Sequence, residues 1–120
     1  MLYRVEKPWG EEEILEINDS YMVKRLTMKA GHQCSLQLHE KKRETFIMVS
    51  GEMEFYIESA DGEIVPIRQQ AGQYFTIQPG VKHRMRAITD IVYIEASTSH
   101  PDDVVRFKDD YERIDGFDSN

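Results

Sequence analysis

The 120-residue chain is predicted to be one all-β domain, an antiparallel sandwich or barrel, on three observations. Segments of five to eight residues alternate apolar and polar side chains, the period-2 mark of a half-buried strand. The dipeptides Ala30-Gly31, Ser50-Gly51, Asp61-Gly62, Ala71-Gly72 and Pro79-Gly80 separate them as turns. The length suits a single core, since domains most often run about 100–150 residues. Eight or more short strands punctuated in this way build sandwiches and barrels.

Residues 1–20 read as an N-terminal arm and first strand, with Glu11-Glu12-Glu13 as a solvated strand start. Trp9 is suited to packing this arm over the barrel or across a dimer. The barrel, residues 21–98, has strands at Tyr21 to Met28, Ser35 to His39, Glu44 to Val49, Glu52 to Glu58, Glu63 to Arg68, Gln73 to Ile77, His83 to Thr89 and Ile91 to Ser97. The alternation is clear in the fourth of these, where Met53, Phe55 and Ile57 share one side and Glu52, Glu54 and Glu58 take the other. The C-terminal segment, 99–120, is expected to carry a short helix from Phe107 to Arg113, where acidic residues and Tyr111 follow the last strand.

Composition narrows the function. The chain has 22 acidic and 15 basic side chains, a formal net charge of −7, which argues against broad nucleic-acid or anionic-membrane binding. No run approaches the ~18–20 apolar residues of a membrane helix, and Met1 to Glu6 lacks a signal-peptide layout, so a cytoplasmic protein is expected. The single cysteine, Cys34, forms no internal disulfide and reads as a small buried residue. His32 and His100 lie beside turns with no partner at ligand spacing and read as surface histidines.

Gln37 and His39 stand two apart on one predicted strand and so share a face, Glu44 opens the next strand, and His83 follows the Pro79-Gly80 turn. Glu44 has the parity of Phe46 and Met48, and His83 that of Met85 and Ala87, so both ionisable groups fall on apolar faces. A group buried there needs a partner or a metal, because burying even a neutral polar group unpaired costs about 2–7 kcal/mol. Two imidazoles, a carboxylate and a carboxamide suit one divalent Zn, Mn, Fe, Co or Ni ion. The competing reading makes one or two of the four ordinary core or rim residues.

The basic residues travel with this motif. Nine of the fifteen (Lys24, Arg25, Lys29, Lys41, Lys42, Arg43, Lys82, Arg84 and Arg86) lie in two stretches, 24–44 and 82–86, whose only acids are Glu40 and Glu44. A local positive rim would attract and concentrate an anionic small molecule, with Lys24, Arg25, Lys42 and Arg43 as its candidate contacts.

The spacing resembles the cupin superfamily. Gly31, five residues, Gln37, Leu38, His39, four residues, Glu44, six residues and Gly51 match its first motif with Gln37 in place of the first histidine. Gly72 through Pro79-Gly80 to His83 resembles the second. Pro8-Trp9-Gly10, Val23-Lys24-Arg25-Leu26, Ser35-Leu36-Gln37-Leu38-His39, Val49-Ser50-Gly51 and Asp103-Val104-Val105-Arg106-Phe107 are similar to the cupin domain of type II mannose-6-phosphate isomerases, where the Gln-x-His variant is typical. The resemblance implies a jelly-roll barrel of two antiparallel sheets, a metal held by Gln37, His39, Glu44 and His83, and a homodimer. It implies an aldose–ketose isomerase that interconverts mannose 6-phosphate and fructose 6-phosphate, without the sugar-nucleotide transferase domain that usually precedes this one. Lys24 and Lys42 are then the catalytic candidates and Arg25 and Arg43 the phosphate contacts. Lys42 falls where the family has an arginine, and lysine cannot copy that forked contact. Two alternatives stand beside the isomerase: a non-catalytic sugar- or sugar-phosphate-binding cupin linked to polysaccharide biosynthesis, and a metal-dependent dioxygenase.

Overall fold

The computed structural model describes residues 3–108, which form two antiparallel sheets facing each other across one core. The larger sheet has the order β1 (Tyr3–Lys7), β2 (Gly10–Ile17), β3 (Tyr21–Met28), β10 (Ile91–Thr98), β5 (Glu44–Ser50), β8 (Tyr74–Ile77). The smaller runs β11 (Val105–Lys108), β4 (Leu36–Leu38), β9 (His83–Ala87), β6 (Glu52–Glu58), β7 (Ile64–Gln70). From β3 onward the chain crosses between sheets at nearly every connection, which closes the jelly roll that the cupin resemblance implies.

Residues that alternate inward build the interior in layers. Register sets Met28 against Ile91, Leu26 against Tyr93, and Tyr93 against Met48, so one end of the barrel is apolar. There Phe46 meets Phe55 edge-on at 5.0 Å, and Met53, Met85 and Trp9 fill the remaining space. Two residues along each strand the character changes: Lys24 pairs with Glu95, and Glu44 with Ser97, which places a polar layer at the opposite end. Gly51, in the tight turn joining β5 to β6, has φ +84°, and a Cβ there would stand 2.3 Å from the Asp90 carbonyl oxygen.

Two expectations change. Phe107, assigned to a helix, lies in β11, where Val105 and Arg106 pair with Leu38 and Gln37 and the Lys82 ammonium sits 4.4 Å from the Phe107 ring centroid. The rest of the expected helix, 109–113, is outside the described residues. The Glu11-Glu12-Glu13 run is not solvated: Glu12 and Glu13 are buried, because Glu12 faces the core and meets Lys7 and Lys24 while Arg25 covers Glu13. Trp9 joins the core, tying the β1–β2 hairpin to the barrel, and its carbonyl accepts the Lys29 N–H.

Candidate metal centre

His39, Glu44 and His83 converge in the polar layer, with one ligand-type atom from each lying within 4.8 Å of the others and all three residues buried. Glu44 opens β5, His83 opens β9, and His39 follows the C-terminal end of β4, which runs antiparallel to β9, so the three meet at one end of the barrel. Glu44 Oε1 lies 3.4 Å from His39 Nε2 and 3.2 Å from His83 Nε2. The other ring nitrogens fix the tautomers: His39 Nδ1 contacts the Asp103 carbonyl and His83 Nδ1 the Val81 carbonyl, and a carbonyl only accepts, so each Nδ1 carries the proton. In the neutral rings both Nε2 atoms are lone pairs turned toward a carboxylate oxygen, and neither has a hydrogen-bond partner among the described residues. Acceptors gathered around acceptors need a cation between them. Two neutral imidazoles and a carboxylate are the donor set that Zn, Mn, Fe, Co or Ni takes, so the residues fit a divalent ion.

Electrostatics keep the ligands in binding form. Burial lowers the tendency of His39 to protonate. It opposes the charge of Glu44, but its buried partners, the Lys42 ammonium foremost, outweigh that and hold the carboxyl well below the ordinary range. Lys42 Nζ lies 3.3 Å from Glu44 Oε2. Further along the inner face, Lys24 Nζ is 3.1 Å from Glu12 Oε1 and Lys7 Nζ is 3.7 Å from Glu12 Oε2. Glu95 stands between these groups, directly opposite Lys24, and burial followed by the nearby Glu44 charge pushes its carboxyl up to about 8. Lys7, Glu12, Lys24, Glu95, Lys42 and Glu44 thus form a buried band of ionisable side chains, basic and acidic in turn, that crosses the larger sheet to the ligand cluster.

Gln37 stands directly across from His83 in the β4–β9 pairing, and its Oε1 accepts the Ser35 hydroxyl at 2.9 Å. Arg25 projects from the outer face of β3, away from the cluster, and makes a two-pronged pair with Glu13 at 2.9 and 3.0 Å. Arg43 is exposed beside Glu44. His32 and His100 are half-buried. Three residues of this region escape the sequence reading: Glu12, Glu95 and Asp103. The parity of Glu95 with Ile91 and Tyr93 marks it as inward-facing; Asp103 carries no such signal.

Comparison with known proteins sets this centre in a family. A mannose-1-phosphate guanylyltransferase of Escherichia coli is 31% identical over 115 residues, 92% of this chain and 23% of its own length. A xanthan biosynthesis protein, XanB, of Xanthomonas campestris is 30% identical over 92% of this chain and 24% of its own. The chain thus spans about a quarter of the length of these relatives. Among solved structures, an RmlC-like cupin from Shewanella frigidimarina superposes with TM-score 0.69 at 20% identity, over 79% of this chain and 82% of that one. The oxalate decarboxylase of Bacillus subtilis, a protein with Mn(II) centres, gives TM-score 0.74 at 18% identity over 86% and 29%. The expectation of mannose 6-phosphate isomerisation is corrected by the relatives' names, which are those of guanylyl transfer to mannose 1-phosphate and of xanthan synthesis. Lys24 and Lys42, the catalytic candidates, each face a buried carboxylate, Glu12 Oε1 at 3.1 Å and Glu44 Oε2 at 3.3 Å. With residues 1–109 matched by the profile described as mannose-6-phosphate isomerase C-terminal, and with a cupin barrel around the site, the chain belongs to that family.

Proposed function

We propose that the protein is a metal-binding cupin that takes a sugar phosphate or nucleotide sugar in the cytoplasmic synthesis of polysaccharide precursors, by binding rather than turnover. The observation that carries this reading is the set of acceptors, His39 Nε2, His83 Nε2 and Glu44 Oε1, facing one another in a buried layer. A divalent ion held by these groups, with Gln37 as a fourth donor, supplies an electrophilic centre that attracts anionic or hydroxyl oxygens. His39 and His83 present their lone pairs through the tautomers their carbonyl partners impose. Arg43, exposed beside Glu44, is assigned to the incoming phosphate; Arg25, committed to Glu13 on the outer face, is not. The names of the relatives support the ligand class, and the engagement of Lys24 and Lys42 supports binding without proton transfer.

The test is metal analysis of the purified protein followed by calorimetric titration with mannose 1-phosphate and with a guanosine nucleotide sugar, before and after chelation. Metal-dependent binding of either ligand, lost together with the metal in the His39→Ala, His83→Ala double variant, is expected. Equal metal content in wild type and the double variant, or ligand binding indifferent to metal, overturns the reading.

A further inference from the structure

We propose that Lys42 is the resident cation of the metal centre: its ammonium holds the second oxygen of Glu44, so a divalent ion must bind against that charge and through one carboxylate oxygen. This rests on the reading of His39, Glu44 and His83 as metal ligands. Lys42 is only 1% exposed and lies two residues before Glu44, so the turn that delivers the ligand also delivers the ammonium. The Glu44 carboxylate is divided between two tasks. Oε1 faces the imidazoles at 3.2 and 3.4 Å, and Oε2 faces Lys42 Nζ at 3.3 Å. A carboxylate grips a cation through one oxygen or through two; with Oε2 committed, Glu44 has one to offer.

The Lys42 ammonium, the ordinary state of a lysine near neutral pH, stands directly against the Glu44 carboxylate. Neither Nζ nor Glu44 Oε2 has a hydrogen bond of good geometry among the described residues, so attraction between opposite charges holds this pair. That attraction is what a divalent ion contests, and in a buried layer it is weakly screened. Lys24 is equally buried but sits on Glu12 at 3.1 Å, one step further along the band, and does not share the ligand carboxylate. The consequence is twofold. Lys42 stabilises the metal-free protein, in which Glu44 would otherwise face only imidazole lone pairs, and it restrains the affinity of the site, keeping the bound ion exchangeable.

The test replaces Lys42 with methionine, of similar length and without charge, in the full chain stripped of metal by chelation. Zinc chloride is the titrant. Wild type is expected to bind zinc, and K42M to bind it about tenfold or more tightly, the scale on which residues behind metal ligands act. The metal-free Tm of K42M should fall below that of wild type, and zinc should raise it by more. Lys42→Arg retains the charge and should bind zinc about as tightly as wild type. Should metal-free K42M fail to fold, the zinc-loaded variant is titrated with a chelator and is expected to hold its ion at chelator concentrations that strip wild type. Zinc binding by K42M that is equal to or weaker than that of wild type, in either measurement, overturns the inference while leaving the metal site standing. Absence of zinc binding in wild type overturns the metal reading and this inference with it.

Discussion

The Asp103 carbonyl accepts the Nδ1 proton of His39 across a sequence separation of 64 residues, while the carboxylate of the same aspartate caps the loop that follows. Asp103 Oδ1 accepts the Glu40 N–H at 2.9 Å, and Oδ2 accepts those of Lys41 and Lys42 at 2.7 and 2.8 Å. One residue therefore sets the tautomer of a ligand and holds the loop leading to Lys42 and Glu44.

Asp103→Ala should loosen this loop, leaving three backbone donors to find water. A loss of about 1–3 kcal/mol is expected in urea unfolding, with metal affinity lower by about tenfold. Burial opposes the Asp103 charge, but the three N–H groups outweigh it and lower the carboxyl below its ordinary value of 3.8. Its contribution is then present above pH 3.8 and fades as the pH falls through the folded value. Asp103→Asn should lessen that acid sensitivity, and an unchanged acid transition would contradict the assignment.

Glu95 has the opposite linkage. Burial and the neighbouring Glu44 charge raise its carboxyl from 4.5 to about 8, so the folded, metal-free protein holds a proton that the unfolded chain has released. Stability on this account is fully present below pH 4.5 and declines as the pH rises through about 8. The decline is on the order of a few kcal/mol, since each pH unit separating the folded and unfolded values is worth about 1.4 kcal/mol. Glu95→Gln should flatten the profile over that window in chelator-treated protein; a slope unchanged by the substitution would assign the effect elsewhere.

Glu12 is the hinge of the buried charge band, and its removal should be costly. Glu12→Ala leaves Lys7 and Lys24 without the carboxylate they share, and losing one partner of a buried ion pair costs about 3–5 kcal/mol. Replacing Glu11, which is half-buried and pairs with the exposed Arg4 at 3.1 Å, should cost no more than about 1 kcal/mol. Similar losses at both positions in denaturant unfolding would remove the distinction.

That contrast also shows what the sequence can express. Met53, Phe55 and Ile57 alternate with Glu52, Glu54, Tyr56 and Glu58, so β6 and its buried face can be read directly. Three consecutive glutamates offer no such contrast, and the inward position of Glu12 follows only from pairing with β3. His39, Glu44 and His83 are readable because turns at fixed distances set the register of their strands, and register decides which face is buried. Asp103 is not readable as a clasp, since its partners are backbone N–H groups more than sixty residues away and any residue type supplies those. Phe107 misleads because the acidic residues after it suit a helix, whereas the ladder offered by Gln37 and Leu38 draws 105 and 106 into a strand.

Metal removal should be visible in global stability, because the ligands come from three strands or their flanks in both sheets and the ion ties them together. An ion that binds only the folded state stabilises it by RT ln(1 + [L]/Kd), about 4 kcal/mol at a free concentration 1,000 times Kd. Chelation should lower Tm by several degrees, and added zinc or manganese should restore it in a concentration-dependent way. His83→Ala should abolish that dependence: it deletes a donor from β9 and leaves the cluster with one imidazole and one carboxylate. A metal-dependent Tm shift of equal size in His83→Ala would place the ion at some other site on the protein.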